Sequence, residues 1–412
     1  HQTTDPQILQ QLLQDGSQTV YAGFDPTSDG LHVGNFVPLM MLRRFQKAGH
    51  CPIVLAGGAT GMIGDPSGKS EERNLLSAEQ IEHNLHGIMD ELAQFLDFDC
   101  QQPAILVNNY DWMTEWDYLT FLRDVGKHFP VNGMLAKESV KARIEQTEAG
   151  MSYTEFSYML LQAYDFVHLR KAYGCSLQVG GSDQWGNITA GIELGRRMGE
   201  GTLHGLTCPL LTKSDGSKMG KTEQGAIWLS AEKTSPYAFY QYWFNTDDAD
   251  VDKCLRLLTE LPEDEIATLA EDRTARPQNR RSQQQLAESL TLLVHGQQGL
   301  ESARKASEVL FGAAIAEMSD ADLTDIFSDV PSQEISRDAL SGEGLSIIDA
   351  LCQSGLAKSK SDARRTVDQG GAYVNNARVE NQERRLTPAD LASETVMVLR
   401  SGKKRYALLK FL

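Results

Sequence analysis

Cysteine is scarce in this sequence, and it does not occur in the pairs that metal sites use. The 412 residues include six cysteines, and no two of them form a CxxC pair. The spacing excludes the common structural zinc sites and indicates free thiols in a reducing compartment. We therefore expect a cytoplasmic protein with no dedicated metal site.

Long apolar runs are also lacking. No uninterrupted apolar stretch approaches the roughly 18 residues needed to span a bilayer, so we expect no membrane partner. Hydrophobic residues make up 41% and charged residues 23% of the chain, which is typical of a globular protein and excludes the disordered and fibrous classes. The length indicates two or three domains, at roughly 150 residues each.

Positive charge is deficient overall but not everywhere. The net charge is −17, yet the segment from Leu345 to the end has twelve Lys and Arg against seven Asp and Glu. That balance of +5 leaves −22 for the rest of the chain. A basic tail on an acidic body suggests that the tail binds a polyanion, although surface chemistry alone would explain a surplus of this size equally well.

Strand-like and helix-like segments alternate up to about Thr222, which predicts a parallel sheet wrapped by helices. Helical periodicity then dominates, with two of the helices expected at 278–294 and 300–311. The polar stretch 336–344 is typical of a linker, and a compact unit is expected from Leu345 onward.

The first candidate segment, Tyr21–Asn35, reads YAGFDPTSDGLHVGN and connects a predicted strand to a predicted helix. Backbone N–H groups and the dipole at the helix start favour an anion. His32 and Asn35 can donate hydrogen bonds to phosphate or ribose oxygens, and Gly34 would let a flat base approach the backbone. The alternative is a tight turn capped by Asn35 with His32 on the surface.

The second segment, Gly64–Ser70, has the sequence GDPSGKS and is similar to a phosphate-binding P-loop. Only three residues separate its glycines, whereas the P-loop pattern needs four, so we reject that interpretation. Lys69 and Arg73 can still reach a polyphosphate from this loop, and Asp65 can face a cation.

In the third segment, Thr154–Asp165, three polar residues lie at i, i+4 and i+7 on one stripe of a helix: Tyr158, Gln162 and Asp165. Most of the remaining circumference is apolar, and a mostly buried helix does not place Gln and Asp on a buried stripe without a partner. A solvated stripe is the alternative, but such stripes usually carry Lys and Glu. We therefore expect this stripe to face a polar ligand.

Two more glycine-containing segments follow, Val179–Asn187 and Lys213–Thr222. Asp183 stands at the predicted start of a helix, where it is either an N-cap or an acceptor for ribose hydroxyls. Lys218 and Lys221 lie three apart on a Gly/Ser loop. By itself this loop is typical of a solvated turn, but two mobile lysines would also suit a pyrophosphate leaving group.

Taken together, these segments resemble a known enzyme family. HVGN and KMGKT are similar to the HIGH and KMSKS signatures of class I aminoacyl-tRNA synthetases, and YAGFDPTSDGLHVGN, GGATGMIGDPSGKSEER, TEFSYMLLQAYDF and VGGSDQWGNIT resemble the bacterial tyrosyl-tRNA synthetases in particular. The end of the chain resembles an S4-type RNA-binding domain, so that the resemblance covers nearly the whole sequence. Two departures are Asn35, where the signature often has a second His, and Gly220-Lys221-Thr222 in place of SKS.

The resemblance implies an α/β fold with a Rossmann-like parallel sheet catalytic domain at 1–222. A helical anticodon-arm domain at 223–335, a linker at 336–344 and a small α+β S4-like domain at 345–412 would follow. The implied reaction activates L-tyrosine with ATP and Mg²⁺ to tyrosyl-adenylate and then transfers tyrosine to the 3′ end of tRNA(Tyr). Because the carboxylate of tyrosine attacks the α-phosphate directly, catalysis would depend on positioning and charge stabilisation. The implied assembly is a homodimer.

The same resemblance implies specific site residues. The residues expected to act on the phosphates and ribose during catalysis are Thr27, His32, Asn35, Lys69, Arg73, Lys218 and Lys221. ATP would also be held by Gly34, Gly181 and Asp183. The residues expected to bind tyrosine are Tyr21, Asp65, Tyr158, Gln162, Asp165 and Gln184, with Tyr21 and Asp165 at the phenolic hydroxyl. The residues expected to contact RNA are Arg364, Arg365, Lys403 and Lys404, together with Lys358, Lys360 and Arg405.

Three alternative functions stay open. A tryptophanyl-type synthetase shares the fold and both signatures, but its pocket need not pair Tyr21 with Asp165. Other nucleotidyltransferases with a HIGH signature form adenylates without tRNA and would have no reason to carry an S4-like tail. An RNA-binding scaffold without activity would not need His32 or Asp183.

Overall fold

The computed structural model describes residues 1–67, 76–146, 150–222, 225–310, 315, 318–327, 330–402 and 405–412. At 78, 138, 139, 142, 146, 221, 222 and 310 it describes the backbone only.

The strands, in chain order, are β1 Gln2–Thr3, β2 Thr19–Phe24, β3 Cys51–Ala56, β4 Ile105–Asn108, β5 Leu177–Gly181, β6 His204–Cys208, β7 Lys221–Thr222, β8 Gly225–Ala226, β9 Ser332–Ile335, β10 Leu345–Ser346, β11 Ala372–Val374, β12 Ala377–Arg378, β13 Arg385–Leu386, β14 Val396–Ser401 and β15 Arg405–Phe411.

The α-helices are α1 Pro6–Gln14, α2 Val33–Lys47, α3 Gly58–Ile63, α4 Ala78–Leu92, α5 Tyr110–Met113, α6 Tyr118–Asp124, α7 Val131–Leu135, α8 Glu138–Gln146, α9 Tyr153–Tyr173, α10 Trp185–Met198, α11 Pro236–Phe244, α12 Val251–Leu258, α13 Glu263–Ala275, α14 Arg281–Leu310, α15 Asp320–Ile326, α16 Ile347–Gln353 and α17 Lys360–Asp368. Among the described helices, none is long and apolar enough to cross a membrane.

The chain forms two compact units. The first contains His1–Lys233 and Thr246–Ser282, and the second contains Thr234–Asn245 and Gln283–Leu412.

The first unit is built on a six-stranded sheet with the order β1-β6-β5-β2-β3-β4. All neighbouring pairs are parallel except β1 with β6. The chain turns from β2 to β3 on one side and later places β5 on the other side of β2. This reversal is the switch point at which doubly wound sheets bind ligands, beyond the carboxyl ends of the strands. The predicted parallel α/β fold is therefore confirmed.

The middle of helix α9 is buried inside the first unit, which explains why most of its circumference is apolar there. Tyr158, Met159, Leu160, Ala163, Phe166 and Val167 are buried, and the helix is capped by Ser152 at its start. A Cβ at Gly191 on α10 would lie 3.1 Å from the Phe166 ring, so α9 and α10 pack closely. This packing fixes which side chains of α9 can point toward the sheet.

The second unit contains α11, α14 and α15 and a five-stranded sheet with the order β12-β11-β14-β15-β9. Apolar side chains fill the space between this sheet and its helices, among them Ile347, Leu351, Val367, Leu399, Leu409 and Phe411. This α+β arrangement at the end of the chain agrees with the predicted fold class.

The second unit agrees with one local expectation and departs from another. The two helices predicted at 278–294 and 300–311 correspond to the two parts of α14, which meet at Gly296, where the backbone leaves the helical conformation (φ 70°). The predicted linker contains a 3-10 turn, Arg337–Leu340, and Leu340 is buried in the core. β9 pairs with β15 ahead of this turn, so the sheet begins before the polar stretch does.

Candidate active site

Both halves of the candidate site begin at the carboxyl ends of the two strands that flank the switch point. β2 ends at Phe24 and is followed by the loop that carries Asp25 and Thr27. β5 ends at Gly181 and is followed by a 3-10 turn, Ser182–Gln184. The fold therefore brings the first and fourth predicted segments to one edge of the sheet.

His32 is the N-cap of α2. Its Nδ1 atom accepts a hydrogen bond from the Gly34 N–H (3.1 Å), and Asn35 Oδ1 accepts one from the His32 N–H (3.2 Å). Because Nδ1 is an acceptor, a neutral imidazole carries its proton on Nε2, which makes Nε2 a donor. The cap thus involves both His32 and Asn35, and it is compatible with a role for His32 toward an anion at the helix start.

Gly34 is required by this cap for steric reasons. A Cβ at Gly34 would lie 2.8 Å from His32 Cε1 and 3.0 Å from its Nδ1. Any side chain here would displace the imidazole, so the glycine of HVGN is explained by the position of His32 as well as by the approach of a ligand.

Asp165 is buried in the first unit, with 1% of its surface exposed. Its Oδ1 accepts a hydrogen bond from Trp112 Nε1 (2.9 Å), and its Oδ2 accepts one from Asn109 Nδ2 (3.0 Å). Burial raises the pKa of this carboxyl to about 7, although both hydrogen bonds oppose the shift. Each carboxylate oxygen can accept further hydrogen bonds, so the site still has acceptor capacity.

The hydroxyl of Tyr21 has no hydrogen-bond partner among the described residues, although it is buried. Burial and the nearby charge of Asp165 hold the pKa of this hydroxyl well above its usual value. A buried hydroxyl without a partner costs about 1–3 kcal/mol, which indicates that a polar group from outside completes the site.

A chain of hydrogen bonds connects Tyr158 to Asp165. The Tyr158 hydroxyl donates to Asp25 Oδ2 (2.9 Å), and Thr60 Oγ1 donates to Asp25 Oδ1 (2.8 Å). Asn109 Nδ2 donates both to Thr60 Oγ1 (3.0 Å) and to Asp165. Two of the predicted tyrosine-binding residues are therefore joined by side chains that were not predicted.

A second chain joins three other predicted residues. Gln162 Nε2 donates to Gln184 Oε1 (3.2 Å), and Gln184 Nε2 donates to Asp65 Oδ2 (2.7 Å). Asp65 is buried, and the Oε1 atom of Gln162 is buried without a partner among the described residues. The predicted stripe Tyr158, Gln162 and Asp165 thus faces a polar interior, and Gln162 presents an unused acceptor there.

Asp183 does not cap a helix, so the N-cap alternative for this residue is ruled out. Gln184 is the N-cap of α10, and Asp183 lies within the preceding 3-10 turn. Burial, followed by the charge of Asp65, raises the pKa of Asp183, whereas the charge of Lys218 lowers it. A Cβ at Gly181 would lie 2.6 Å from Asp183 Oδ1, so the glycine makes room for this carboxylate.

The residues predicted to act on the phosphates are less fully described. Thr27 and Lys218 are exposed, and His32 and Asn35 are half-buried. Lys69, Arg73 and the side chain of Lys221 lie outside the described residues. Within the described part of the chain, no group of three or more His, Cys, Asp or Glu residues is arranged to hold a metal ion.

The described basic residues predicted to contact RNA lie on α17, on the turn before it and at the start of β15. Lys358, Lys360, Arg364 and Arg365 are exposed along α17 and the turn before it. Arg405, at the start of β15, donates to the Gly355 carbonyl (3.4 Å), which lies three residues before Lys358. Lys403 and Lys404 lie outside the described residues.

Comparison with family models identifies the family. Residues 14–312 match the class I tRNA synthetases for tryptophan and tyrosine, and residues 322–409 match the SYY-like C-terminal domain of tyrosine–tRNA ligases. The chain belongs to the class I tyrosyl-tRNA synthetases.

Individual relatives agree with this family. The tyrosine–tRNA ligase of Rhodopirellula baltica is 58% identical over 410 residues, which is 100% of this chain and 93% of the relative. That of Roseiflexus castenholzii is 53% identical over 403 residues, 98% of this chain and 95% of the relative. A C-terminally truncated mitochondrial tyrosyl-tRNA synthetase from Aspergillus nidulans is 31% identical with a TM-score of 0.68, and the match covers 76% of this chain and 91% of that one.

Four residues of this synthetase's polar interior were missed by the sequence reasoning: Asp25, Thr60, Asn109 and Trp112. One signal was available for Asn109, because the pair Asn108-Asn109 comes directly at the end of the apolar predicted strand, where parallel sheets place ligand-binding groups. No comparable pattern marked Trp112, whose stacking on His168 (4.2 Å between ring centroids) is visible only in the folded chain.

Proposed function

We propose that this chain is a tyrosine–tRNA ligase. It activates L-tyrosine with ATP, to which Mg²⁺ is bound as part of the substrate, and forms tyrosyl-adenylate. The carboxylate oxygen of tyrosine attacks the α-phosphate in line, the bond to the β-phosphate breaks, and pyrophosphate leaves. A hydroxyl at the 3′ end of tRNA(Tyr) then attacks the carbonyl carbon of the adenylate, the bond from that carbon to the phosphate oxygen breaks, and AMP leaves. No protein nucleophile takes part, so the enzyme acts by positioning and charge stabilisation.

The phenolic hydroxyl of tyrosine is recognised by Tyr21 and Asp165. Tyr21 has a buried hydroxyl without a partner among the described residues, and Asp165 is a buried carboxylate with acceptor capacity left over. A phenol would donate to Asp165 and accept from Tyr21, which satisfies both groups. Phenylalanine would leave both unsatisfied, and that cost supplies the selectivity.

The α-ammonium group of tyrosine is held by Asp65, Tyr158 and Gln162. The unpartnered Oε1 of Gln162 is an acceptor, and the carboxylate of Asp65 supplies a compensating charge. Gln184 orients both groups, because its amide accepts from Gln162 and donates to Asp65. When tyrosine enters, Gln184 lies beside the carboxylate end of the amino acid.

ATP is held at the helix start and at the end of β5. His32 donates from Nε2 and Thr27 from its hydroxyl toward the phosphates, while Asn35 and Asp183 bind the ribose. Gly34 and Gly181 let the nucleotide approach the backbone. The four lysines and arginines around the phosphates are Lys69, Arg73, Lys218 and Lys221, and they stabilise the negative charge that develops on pyrophosphate.

The observation that supports this function most strongly is the unpartnered, buried Tyr21 hydroxyl beside Asp165. The test is ATP–pyrophosphate exchange with purified protein and a panel of all twenty amino acids. We expect exchange with tyrosine far above that with phenylalanine or tryptophan. Exchange that is strongest with another amino acid would contradict the proposal.

The basic surface of the second unit, formed by Lys358, Lys360, Arg364, Arg365 and Arg405, binds tRNA. Such surfaces hold structured RNA largely through phosphates. Replacing both Arg364 and Arg365 by Ala should weaken tRNA binding and reduce the salt slope by about one per lost phosphate contact, while pyrophosphate exchange stays normal. These substitutions test the RNA contact more specifically than a truncation after Gly344, because the truncation would remove β15 and leave β9 without its partner strand.

The homodimer implied by the family forms through exposed apolar residues around α6 to α9. Tyr118, Leu119, Val131 and Tyr153 lie there, and Leu119 is 74% exposed. Apolar groups clustered in this way mark association surfaces. Analytical ultracentrifugation should show a dimer for the unaltered chain and a shift to monomer for Leu119→Asp. An unchanged sedimentation profile would place the interface elsewhere.

We also propose a cytoplasmic location, which is supported by the six free cysteines.

A further inference from the structure

The loop that leads into His32 is held by a group of side chains to which the reaction scheme above gives no role. This group, which we call the His32 clamp, consists of Asp29, Glu91, Trp228 and Lys233. We propose that Lys233 is a positioning residue that acts through the clamp to hold His32 in the orientation required for tyrosine activation. The proposal rests on the role proposed for His32.

The backbone on both sides of His32 is bonded to the segment that contains Trp228. The Leu229 N–H donates to the Leu31 carbonyl (2.9 Å), and the Val33 N–H donates to the Ile227 carbonyl (3.0 Å). His32 and Trp228 lie opposite each other in this short antiparallel bridge. The position of the His32 backbone therefore depends on where the Trp228 segment lies.

Lys233 connects the two sides of this bridge through its ammonium group. Its Nζ atom forms an ion pair with Asp29 and lies 4.6 Å from the centre of the Trp228 ring. The Trp228 ring in turn lies 6.0 Å from the His32 ring, at an interplanar angle of 52°. An ammonium group over an aromatic face is attracted to it, so one charge restrains both the loop before His32 and the ring beside it.

Glu91 supplies the third restraint. Its Oε2 accepts a hydrogen bond from the Leu31 N–H (2.6 Å), one residue before His32. A Cβ at Gly30 would lie 2.9 Å from Glu91 Oε1 and 3.2 Å from Lys233 Nζ, so both charged groups adjoin the same point of the loop. Burial raises the pKa of Glu91, whereas the Leu31 hydrogen bond and the Lys233 charge lower it. Lys233 thus favours the ionised form of Glu91, which is the stronger acceptor.

The same segment also connects His32 to the KMGKT loop. The Ile227 N–H donates to the Gly220 carbonyl (2.9 Å), and a Cβ at Gly220 would lie 2.8 Å from Val33 Cβ. Gly220 has a φ of 86°, so both the conformation and the close contact favour glycine here. A displacement of the Trp228 segment would therefore disturb both signature motifs together.

The test begins with Lys233→Met, which removes the charge but keeps an unbranched apolar side chain. In pre-steady-state assays, we expect the rate of tyrosyl-adenylate formation to fall by about 10-fold to 100-fold, since small misplacements of catalytic groups have costs of this size. The KM for tyrosine should stay unchanged, and Lys233→Arg should restore the rate to within about threefold. An unchanged rate in Lys233→Met would overturn the inference.

Lys47→Met is the matched control. Lys47 also forms an ion pair in the first unit, with Glu260 at 2.6 Å, but it lies at the far end of the 15-residue helix α2. That end is about 22 Å from His32, at 1.5 Å per residue. Activation in this variant should be normal. Should Lys233→Met fail to fold, Asp29→Asn at an exposed position removes the partner of Lys233 and should lower the rate in the same direction.

A double-mutant cycle with His32→Ala separates this inference from the function on which it rests. If Lys233 acts through His32, Lys233→Met should change the rate by less than about twofold when His32 is already absent. The same loss in both backgrounds would mean that Lys233 acts independently of His32, for example directly on ATP, and would refute the clamp. If His32→Ala alone left the rate unchanged, the proposed role of His32 would fail.

Discussion

The two ends of the proposed active site are built in opposite ways. At the tyrosine end, Tyr21 and Asp165 are each only 1% exposed, and hydrogen bonds from Asn109 and Trp112 fix the carboxylate. At the phosphate end, Thr27 and Lys218 are exposed, and His32 is a half-buried side chain that caps α2.

This difference assigns a separate task to each end. A buried carboxylate with fixed partners cannot adapt to a ligand that lacks a hydroxyl group, so it is suited to selection. Exposed cations on a loop can close on a leaving group, so they are suited to stabilising charge that appears only in the transition state. We therefore expect changes at the tyrosine end to alter selectivity and changes at the phosphate end to alter rate.

The largest effect is expected at the phosphate end. Lys218→Ala or Lys221→Ala should lower the rate of tyrosine activation by about 10²-fold to 10³-fold, because each variant loses a positive charge that stabilises the transition state. The dissociation constant for tyrosine should barely change. Rapid-quench measurement of adenylate formation, with equilibrium binding of tyrosine alongside, tests both statements. If only the affinity for tyrosine fell, these lysines would act at the tyrosine end of the site, and their assignment to the phosphate end would be wrong.

A smaller effect is expected at the tyrosine end. Asp165→Asn should reduce the preference for tyrosine over phenylalanine by about 30-fold, equivalent to about 2 kcal/mol, because the phenol loses a charge-assisted acceptor. The ratio of kcat/KM for the two amino acids in pyrophosphate exchange measures this directly. Asp124→Asn, at a half-buried carboxylate that forms an ion pair with its neighbour Arg123, is the control and should leave the ratio unchanged. An unchanged ratio in Asp165→Asn would place the phenol contact elsewhere.

Tyrosine binding should weaken as the pH falls below neutrality. The pKa of Asp165 is raised to about 7, so the carboxylate that accepts from the phenol becomes protonated as the pH falls below 7. Tyrosine affinity should drop by about tenfold per pH unit in that range, and Asp165→Asn should abolish the dependence. The same raised pKa makes the free energy of unfolding decrease as the pH rises from about 4 to about 7, because Asp165 keeps its proton in the folded chain after the unfolded chain has lost it. Tyrosine titrations by fluorescence between pH 5.5 and 8.5 test the binding prediction, and a flat profile in the unaltered chain would refute it.

The smallest effect is expected from a residue that acts only through Asp165. Trp112→Phe removes the Nε1 donor to Asp165 but keeps an aromatic ring against His168. The loss of one hydrogen bond should reduce the preference for tyrosine by about fivefold, equivalent to about 1 kcal/mol, and should raise the pKa of Asp165 further. Selectivity measured across the same pH range checks both effects. Full selectivity with an unshifted pH profile would show that this hydrogen bond does not contribute.

The same contrast explains how much of the site was predictable from sequence. The stripe of Tyr158, Gln162 and Asp165 was found because a helical period relates residues that are near in the chain. Asn109 and Trp112, which donate hydrogen bonds to Asp165, lie more than fifty residues before it in the chain, and no local pattern relates either of them to Asp165. The alternation of strands and helices predicted the parallel sheet, but the short edge strand β1, two residues long, carried no comparable signal.

Some local expectations failed for related reasons. Polarity predicted a linker at 336–344, yet one apolar residue, Leu340, is enough to anchor the stretch in the core. The N-cap alternative for Asp183 failed because α10 begins two residues later, at Trp185.

The separation between selection and rate can be tested in one assay. Rates of ATP–pyrophosphate exchange with tyrosine and with phenylalanine are measured for the unaltered chain, Asp165→Asn and Lys218→Ala. We expect Lys218→Ala to lower both rates by the same factor and to leave their ratio unchanged, whereas Asp165→Asn should change the ratio. A changed ratio in Lys218→Ala, or equal losses for both amino acids in Asp165→Asn, would contradict it.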